Sequence, residues 1–265
     1  MMPKIIYSTV LCFFLFAGCA VTPESGRTAI ILVPFSQEVA LGDQAYKDIL
    51  SKEKLSTDSR LAAIVRRVGE RLAKTTTMPG LKWEFKLVES KQQNAFALPG
   101  GKVAIYTGIL PMCKTEAGLA AVMGHEIAHA VARHGAQRMS QQMMIQGGMT
   151  LASMSLANVG SRNMILGALG LGANYGIVLP YSRGNESEAD EIGLTYMARA
   201  GYDPAEAVRF WTRFSKAKGG GQPPEFLSTH PADATRINSL NKLLPKATKV
   251  YQSSAKRYGL GETLY

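Results

Sequence analysis

A His-Glu-x-x-His pattern occurs in the stretch Gly124-His125-Glu126-Ile127-Ala128-His129, within a segment that contains no proline. Four residues advance an α-helix by about 400°, so His125 and His129 project from one face, one turn apart. Imidazoles at this separation can bind a single Zn²⁺ ion through nitrogen. Glu126 is badly placed as a further ligand; we expect it to take a proton from water and pass it to the leaving amine. The alternative is two histidines that are satisfied by hydrogen bonds.

A catalytic zinc needs a third protein ligand and an open position for water. The stretch Glu186-Ser187-Glu188-Ala189-Asp190 supplies a candidate, because Glu186 and Asp190 lie one turn apart on a helix face. We predict that Glu186 binds the metal and that Asp190 accepts the outer N–H of a ligating imidazole. Glu188 is expected to face solvent or to pair with a basic side chain. The alternative is an acidic helix start without metal, since carboxylates stabilise the positive end of the helix dipole.

His134 is the other histidine near this motif, nine residues after His125. On one continuous helix that separation is about 900° of rotation, which directs His134 to the opposite side. Ala132 and Gly135 stand where a metzincin has glycine and histidine, so that class is excluded. We therefore predict that His134 is a structural or surface residue.

Composition narrows the class of protein. The chain has 265 residues, of which 46% are hydrophobic and 19% charged, so it is not disordered and can bury a core. The formal charge of +10 permits an anionic partner, but the basic residues between 242 and 257 are typical of a solvated surface, and no nucleic-acid partner is expected. Cysteine occurs only at Cys12, Cys19 and Cys113, which excludes a disulfide scaffold and a four-cysteine metal site.

Hydrophobic periodicity predicts helices over most of the chain and strands in a short central part. Helices are expected at about 36–50, 61–72, 115–139, 185–200 and 203–216, with a further helix that Pro231 opens and Pro245 stops. Strands are expected at 83–88, 94–98 and 102–107, and the turn Pro99-Gly100-Gly101 joins the last two in a hairpin.

The first residues have the pattern of a targeting signal. A short basic start, an apolar run from Ile5 to Phe16 and small residues before Cys19 indicate a secretory signal peptide over residues 1–18. The ending Phe-Ala-Gly-Cys resembles a bacterial lipoprotein box, so we expect Cys19 to be lipidated and residues 19–35 to be a lipidated N-terminus and tether. Ala20 and Val21 follow Cys19 and neither is aspartate, which by resemblance to enterobacterial lipoproteins implies the outer rather than the inner membrane. The alternative is an ordinary signal peptide with an incidental cysteine.

The segment between Met139 and Pro180 contains Arg162 as its only charged residue and is rich in Met, Gly, Ala and Leu. A membrane span is disfavoured, because each glycine costs about 1 kcal/mol relative to alanine in a helix interior. We expect a core segment. The alternatives are a lid over the site and a surface that contacts lipid or unfolded protein.

Four motifs follow one another through nearly all of the chain after Arg27. They are Asn94-Ala95-Phe96-Ala97-Leu98-Pro99-Gly100-Gly101, Gly124 to His129, Tyr181-Ser182-Arg183 before Glu186 to Asp190, and Ser228-Thr229-His230-Pro231 before Arg236. In this order they resemble gluzincin zinc metallopeptidases of the family that includes HtpX and the CAAX prenyl endopeptidases, metallopeptidase family forty-eight. The resemblance is greatest to its bacterial periplasmic lipoproteins and mitochondrial inner-membrane relatives.

The resemblance implies an α+β, mostly α fold: a single zincin-like metallopeptidase domain over residues 36–265 with a small sheet beside the active-site helix. It implies one Zn²⁺ per chain, bound by His125, His129 and Glu186, with Glu126 as a catalytic residue. It also implies an edge strand, formed by Asn94, Ala95, Phe96 and the residues after them, that holds substrate in extended form.

His230 precedes a proline at the expected start of a helix and belongs to one of these motifs. We predict that it is catalytic, either as a donor to the oxyanion or as a residue that occupies the open metal position at rest. Arg236 is expected to help position the same region, and Tyr181 is a weaker donor candidate. The alternative for His230 is a buried residue that caps the helix.

The leading hypothesis for function is a zinc endopeptidase that cleaves misfolded or unassembled cell-envelope proteins. It is expected in the bacterial periplasm, held by lipid at the outer membrane, with the outer-membrane assembly machinery as a partner. The alternative is a lipid-anchored chaperone or assembly factor for outer-membrane proteins, in which proteolysis is latent. The complete set of ligand and base positions favours the enzyme.

Overall fold

A computed structural model of the protein describes residues 19–145, 181–216, 225–230 and 234–265. The expected signal peptide, most of the apolar segment from 139 to 180, and Pro231 lie outside these residues. Within the described ranges, no helix is both long and apolar enough to cross a membrane. The described chain is mostly helical with small sheets, which confirms the α+β prediction.

The strands form two small sheets in the described part of the chain. Strand β1 (Cys19–Val21) pairs antiparallel with β2 (Thr28–Ile30) in a unit that we call the N-terminal hairpin, residues 19–30. In the second sheet, β5 (Lys102–Tyr106) lies between a parallel neighbour, β3 (Glu84–Val88), and an antiparallel neighbour, β4 (Ala95–Leu98). The predicted hairpin of β4 and β5 is confirmed, and β4 is an edge strand of its sheet.

The turn between β4 and β5 depends on glycine. Gly100 and Gly101 have φ angles of +85° and +84°, which glycine adopts without the steric penalty of a side chain. This turn sets the register in which Ala97 pairs with Val103. The sequence Pro99-Gly100-Gly101 was therefore a sufficient signal for this hairpin.

Helices account for most of the remaining described residues. They are α1 (Phe35–Leu50), α2 (Ser59–Ala73), α3 (Leu110–Cys113), α4 (Glu116–Val131), α5 (His134–Ile145), α6 (Arg183–Arg199), α7 (Ala205–Lys216), α8 (Glu225–Thr229) and α9 (Ala234–Ser253). Polar residues cap three of them: Asp58 accepts from the Leu61 N–H at 2.8 Å, Thr115 from Gly118 at 3.0 Å, and Ser182 from Asn185 at 3.1 Å. Such caps explain why α2, α4 and α6 begin where they do.

The prediction of one helix from 115 to 139 is wrong, because the chain breaks into α4 and α5 at Arg133. Arg133 has a φ of +58°, in the left-handed region that ends an α-helix. Its guanidinium donates to Glu38 Oε2 at 2.7 Å and to the Val33 carbonyl at 3.0 Å. Glu38 is buried in α1, so this ion pair holds the unusual backbone in place. Glycine and proline, the usual signals of a break, are absent from residues 131–134.

The prediction that Pro245 ends the last helix is also wrong. Helix α9 continues through Pro245 to Ser253. Leu240 and Ala247 are buried on either side of the proline, so packing on both sides compensates for the lost backbone hydrogen bond.

Residues 22–27, expected within a tether, form the turn of the N-terminal hairpin and pack on the domain. Thr22 is 1% exposed. The hydroxyl of Tyr196, in α6, donates to Glu24 Oε1 at 2.8 Å. This turn therefore contacts α6 closely, unlike a free tether.

Helix α4 lies at the centre of the domain, and all of its residues except Ala130 are buried. Helix α6 crosses it where glycine faces glycine. A Cβ atom on Gly193 would lie 3.0 Å from the backbone nitrogen of His125, and one on Gly124 would lie 3.2 Å from the Gly193 carbonyl oxygen. This close approach places the acidic residues of α6 beside the histidines of α4.

Candidate metal centre

Four side chains converge inside the domain: His125 and His129 from α4, Glu186 from α6, and His230, which directly follows α8. One potential ligand atom of each lies within 4.8 Å of the others. His125 Nε2 is 3.0 Å from His129 Nε2 and 3.5 Å from Glu186 Oε2, and His129 Nε2 is 3.3 Å from Glu186 Oε1. All four residues are buried. The structure thus brings together the residues that the sequence analysis named as ligands.

The chemistry of these donors fits a metal ion. His125 Nδ1 lies 3.0 Å from Asp190 Oδ1 and donates to it, so His125 Nε2 keeps a lone pair directed into the cluster. Imidazole nitrogens and a carboxylate oxygen are ligands that Zn²⁺ prefers. Nearby, Glu126 Oε1 is buried and has no hydrogen-bond partner among the described residues. A buried carboxylate oxygen without a hydrogen-bond partner, next to converging ligand atoms, is expected where a metal ion and a water molecule bind.

Arg236 connects the two acidic residues of α6. Its Nε and Nη2 donate to Asp190 at 2.8 and 2.6 Å, and its Nη1 donates to Glu186 Oε2 at 2.8 Å. The guanidinium carbon lies 3.4 Å from the ring centroid of Trp211, and Nη2 also lies 3.1 Å from both ring nitrogens of His125. Sequence reasoning gave no signal for Trp211. Arg236 thus compensates the charge of both carboxylates and restricts their orientation.

Glu186 is held as an anion. Burial alone would raise its pKa, but electrostatic attraction to His230 and Arg236 outweighs burial, so the pKa of Glu186 lies well below its ordinary value. A permanently ionised carboxylate can act as a metal ligand at neutral pH.

Glu126 has the opposite shift. Burial raises the pKa of Glu126 to about 7, although attraction to His230 and Arg236 opposes this rise. The carboxylate also accepts a hydrogen bond from the backbone of Ala97 in the edge strand β4. A bound dication beside it would lower this pKa. A carboxyl group that can gain and lose a proton near neutral pH suits general base and acid roles.

The edge strand β4 contacts the candidate metal centre through the backbone of Ala97, which donates to Glu126. Phe96 points into the core, where it meets the ring of Tyr46 edge-on at 6.5 Å, and Asn94 Oδ1 accepts from the Ala95 N–H at 2.9 Å. The side chains of all three predicted substrate-binding residues, Asn94, Ala95 and Phe96, are buried. A peptide could therefore be recognised here by main-chain hydrogen bonds, and these side chains are not available to it.

His230 contributes Nδ1 to the cluster. This atom is 3.2 Å from His125 Nε2 and 3.0 Å from Glu186 Oε1, while His230 Nε2 is 3.4 Å from Glu126 Oε1. Tyr181 stacks on His129 with a centroid distance of 4.0 Å, and burial raises the pKa of its phenol to about 12. Tyr181 is therefore a neutral hydroxyl beside the cluster.

His134 does not point away from the site. It is 0% exposed, and its Nδ1 lies 2.8 Å from His129 Nδ1. The prediction of a structural residue fits this burial, whereas the surface alternative and the predicted direction are wrong, because the break at Arg133 separates His134 from the rotation of α4. Sequence offered no signal for this contact.

Glu188 is 8% exposed and pairs with Arg27 in the N-terminal hairpin. The predicted pairing with a basic side chain is confirmed, and the solvent-facing alternative is wrong. Burial alone would raise the pKa of Glu188, but hydrogen bonds from His134, Ser25 and Arg27 outweigh it and lower the pKa to about 2.

The sequence also matches a family of metal-dependent peptidases, as the buried cluster of histidines and carboxylates would suggest. Residues 59–244 match the family described as Peptidase family M48. The chain belongs to peptidase family M48. The predicted membership of metallopeptidase family forty-eight is thereby confirmed, and it makes the chain a metalloendopeptidase, a metal-dependent hydrolase of peptide bonds.

Relatives in this family occur in mitochondria and in bacteria. The mitochondrial metalloendopeptidase OMA1 of Schizosaccharomyces pombe is 38% identical over 88% of this chain and 69% of its own length. The protein of the same name in Saccharomyces cerevisiae is 34% identical over 91% of this chain and 75% of its own length. The beta-barrel assembly-enhancing protease of Yersinia pestis is 31% identical over 85% of this chain, which spans 48% of that relative.

Proposed function

We propose that the chain is a zinc endopeptidase in which His125, His129 and Glu186 bind one Zn²⁺ ion per chain. The observation that supports this proposal is the convergence of their ligand atoms within 4.8 Å, with the buried carboxylate of Glu126 beside them. Two imidazoles and one carboxylate are the protein ligands of many catalytic zinc sites. When bound, zinc polarises the scissile carbonyl and makes water a stronger nucleophile at neutral pH.

The other steps use the chain's own residues. Glu126 takes the proton of the attacking water and returns it to the leaving amine. A substrate peptide adds to the edge of β4 in extended form. Because Glu126 accepts from the Ala97 backbone of the same strand, a peptide on this edge lies close to the base. Asp190 and Arg236 hold His125 and Glu186 in orientation.

His230 is proposed to occupy the fourth metal position at rest. Support comes from its Nδ1, which lies 3.0 Å from Glu186 Oε1 and 3.2 Å from His125 Nε2, among the other ligand atoms. In that role, His230 would have to move away before water could reach a bound metal. Stabilisation of the oxyanion by His230 is the alternative role, and it requires a donor that remains beside the metal during the reaction.

For substrate and location, we propose misfolded or unassembled cell-envelope proteins of the bacterial periplasm. The name of the bacterial relative, beta-barrel assembly-enhancing protease, and the secretory signal pattern of residues 1–18 support this class. Lipidation at Cys19 would anchor the enzyme at the outer membrane, in the lipoprotein branch of the family and near the assembly machinery. A chaperone or assembly factor with latent proteolysis is the second candidate, and the position of His230 among the ligand atoms favours it.

Substitution of the base tests the proposal directly. The wild type should bind one zinc per chain and cleave casein or a denatured outer-membrane protein. Glu126→Gln should keep the zinc, since Glu126 is not a ligand, and lose about 10²- to 10⁴-fold in cleavage rate, because water loses its base. Metal analysis and a proteolysis assay on the same preparations measure both quantities. Cleavage that persists in Glu126→Gln would remove Glu126 from the mechanism.

The third ligand is tested by Glu186→Ala, which should release zinc because the imidazoles that remain are neutral and the site loses its only anionic ligand. Glu191→Ala is a matched control on the same helix, since Glu191 pairs at the surface with Lys246 at 3.1 Å. The control should keep one zinc per chain. Unchanged zinc stoichiometry in Glu186→Ala would exclude Glu186 as a ligand.

A further inference from the structure

His134 contacts the outer nitrogen of His129, opposite the nitrogen that faces the metal centre. The distance between the two Nδ1 atoms is 2.8 Å, and His134 Nε2 lies 3.2 Å from Glu188 Oε2. His134 is 0% exposed and Glu188 is 8% exposed. A buried chain of His129, His134 and Glu188 therefore begins at a proposed metal ligand and ends at a carboxylate.

Only one order of donors and acceptors is possible from His129 through His134 to Glu188. Glu188, as an anion, accepts from His134 Nε2, so the hydrogen of a neutral His134 is on Nε2 and its Nδ1 is an acceptor. His129 must then donate from Nδ1, which leaves the lone pair of His129 on Nε2. This nitrogen is 3.3 Å from Glu186 Oε1, inside the cluster. The reverse tautomers would place a lone pair of His134 against the carboxylate.

We propose that His134 and Glu188 are positioning residues that fix the tautomer and ring orientation of His129, as Asp190 does for His125. The inference rests on the proposed role of His129 as a metal ligand. In metal sites, a partner on the outer ring nitrogen raises the basicity of the ligand and orients it. Here the partner is a histidine, and the carboxylate lies one residue further along the chain of hydrogen bonds.

The N-terminal hairpin completes this arrangement. Glu188 also accepts from Thr22 Oγ1 at 3.0 Å, from Ser25 Oγ and from Arg27 Nε. Arg27 Nη2 in turn donates to Gln137 Oε1, in α5, at 2.7 Å. Three residues of one short turn therefore hold Glu188 in the orientation that receives His134. On this proposal, the N-terminal hairpin contributes to metal binding at His129 through Glu188 and His134.

The test is zinc affinity in the full chain, measured by competition with a chelator. His134→Phe keeps the ring volume but removes both nitrogens, and should weaken zinc binding by about 10- to 100-fold. His134→Asn places an acceptor near the position of Nδ1 and should restore most of the affinity. Arg27→Met removes one donor to Glu188 from a side chain that is 40% exposed, so it should fold normally and weaken zinc binding less than His134→Phe.

A purely structural role for His134 predicts a different result. Tyr202→Phe is the control, because it removes a buried hydroxyl that donates to Glu116 at 2.7 Å near the start of α4. It should lower the melting temperature without changing the zinc affinity. If His134→Phe behaves in the same way, the inference is overturned. If His134→Phe does not fold, Glu188→Gln serves as the test instead. Weaker zinc binding in Glu188→Gln supports the positioning role, and wild-type affinity overturns it.

Failure of this inference can be distinguished from failure of the proposed function. His129→Ala should abolish zinc binding if His129 is a ligand. Loss of zinc in His129→Ala together with wild-type affinity in His134→Phe would reject the positioning role alone. Retention of zinc in His129→Ala would reject the ligand set, and the inference with it.

Discussion

At the scale of single residues, the environment of each histidine defines its role. The four histidines of the chain, His125, His129, His134 and His230, lie in one buried, connected group. Buried ionisable groups are costly unless they are paired or bind a metal. A domain that places all of its histidines together with buried carboxylates therefore has a functional reason for that arrangement.

His230 is the residue whose replacement separates two mechanisms. If it occupies the metal position at rest, His230→Ala should cleave casein faster than the wild type, because the position opens to water. Loss of an oxyanion donor would instead lower the rate, by about 10²- to 10³-fold. Initial rates at equal zinc content measure the difference. We expect the faster rate, and a large decrease would contradict the resting role.

At the scale of elements, the crossing of α4 and α6 places the proposed ligands. The two helices touch at Gly124 and Gly193, so the backbones approach closely enough for Glu186 to meet His125 and His129. Periodicity predicted each of these helices but could not predict where they cross. The break at Arg133 was also missed, because a buried ion pair with Glu38 in α1, and no local turn residue, holds it.

Gly193→Ala tests the importance of this crossing. An added Cβ would lie 3.0 Å from His125 N and 3.1 Å from Gly124 C, so the helices must separate slightly. We expect a loss of about 1 to 3 kcal/mol in the free energy of unfolding, together with weaker zinc binding. Urea unfolding and chelator competition measure the two effects.

Gly184→Ala is the matched control on the same helix. A Cβ at Gly184 meets only Ser182 Oγ, at 3.8 Å, so this variant should be as stable as the wild type or more stable by up to about 1 kcal/mol. Equal stability of the two variants would show that the crossing tolerates a methyl group.

At the scale of the whole molecule, Glu116 connects distant parts of the chain. It begins α4, accepts from Arg71 of α2 at 2.9 Å and from the hydroxyl of Tyr202 at 2.7 Å, and its backbone N–H donates to the Glu262 carbonyl at 3.2 Å. Burial alone would raise the pKa of Glu116, but hydrogen bonds from Arg67 and Tyr202 outweigh it, so the pKa lies below its ordinary value.

This shift makes stability depend on pH. Because the pKa of Glu116 is lower in the folded state, its contribution is complete above the unfolded pKa of about 4.3 and is lost as pH falls through the folded pKa. Glu116→Gln should lose about 2 kcal/mol at pH 7. Below about pH 4.3 the free energy of unfolding should decrease less steeply in the variant than in the wild type. Urea unfolding from pH 7 to 3 measures this, and parallel curves would contradict it.

Features that depend on residues close together in the sequence could be predicted without the structure. The spacing of His125 and His129, the turn at Gly100 and Gly101, and the alternation in β3 are local, and each was predicted. Local geometry decides these features, because a helix turn or a tight turn involves only a few consecutive residues.

Features that need contact between distant residues could not be predicted, because long-range packing sets them. Pro245 remains inside α9 because packing on both sides outweighs a local helix breaker, and His134 turns toward His129 because Arg133 pairs with Glu38. The N-terminal hairpin reaches Glu188 across most of the chain. These outcomes depend on burial and charge pairing between segments, and neither leaves a mark in the local sequence pattern.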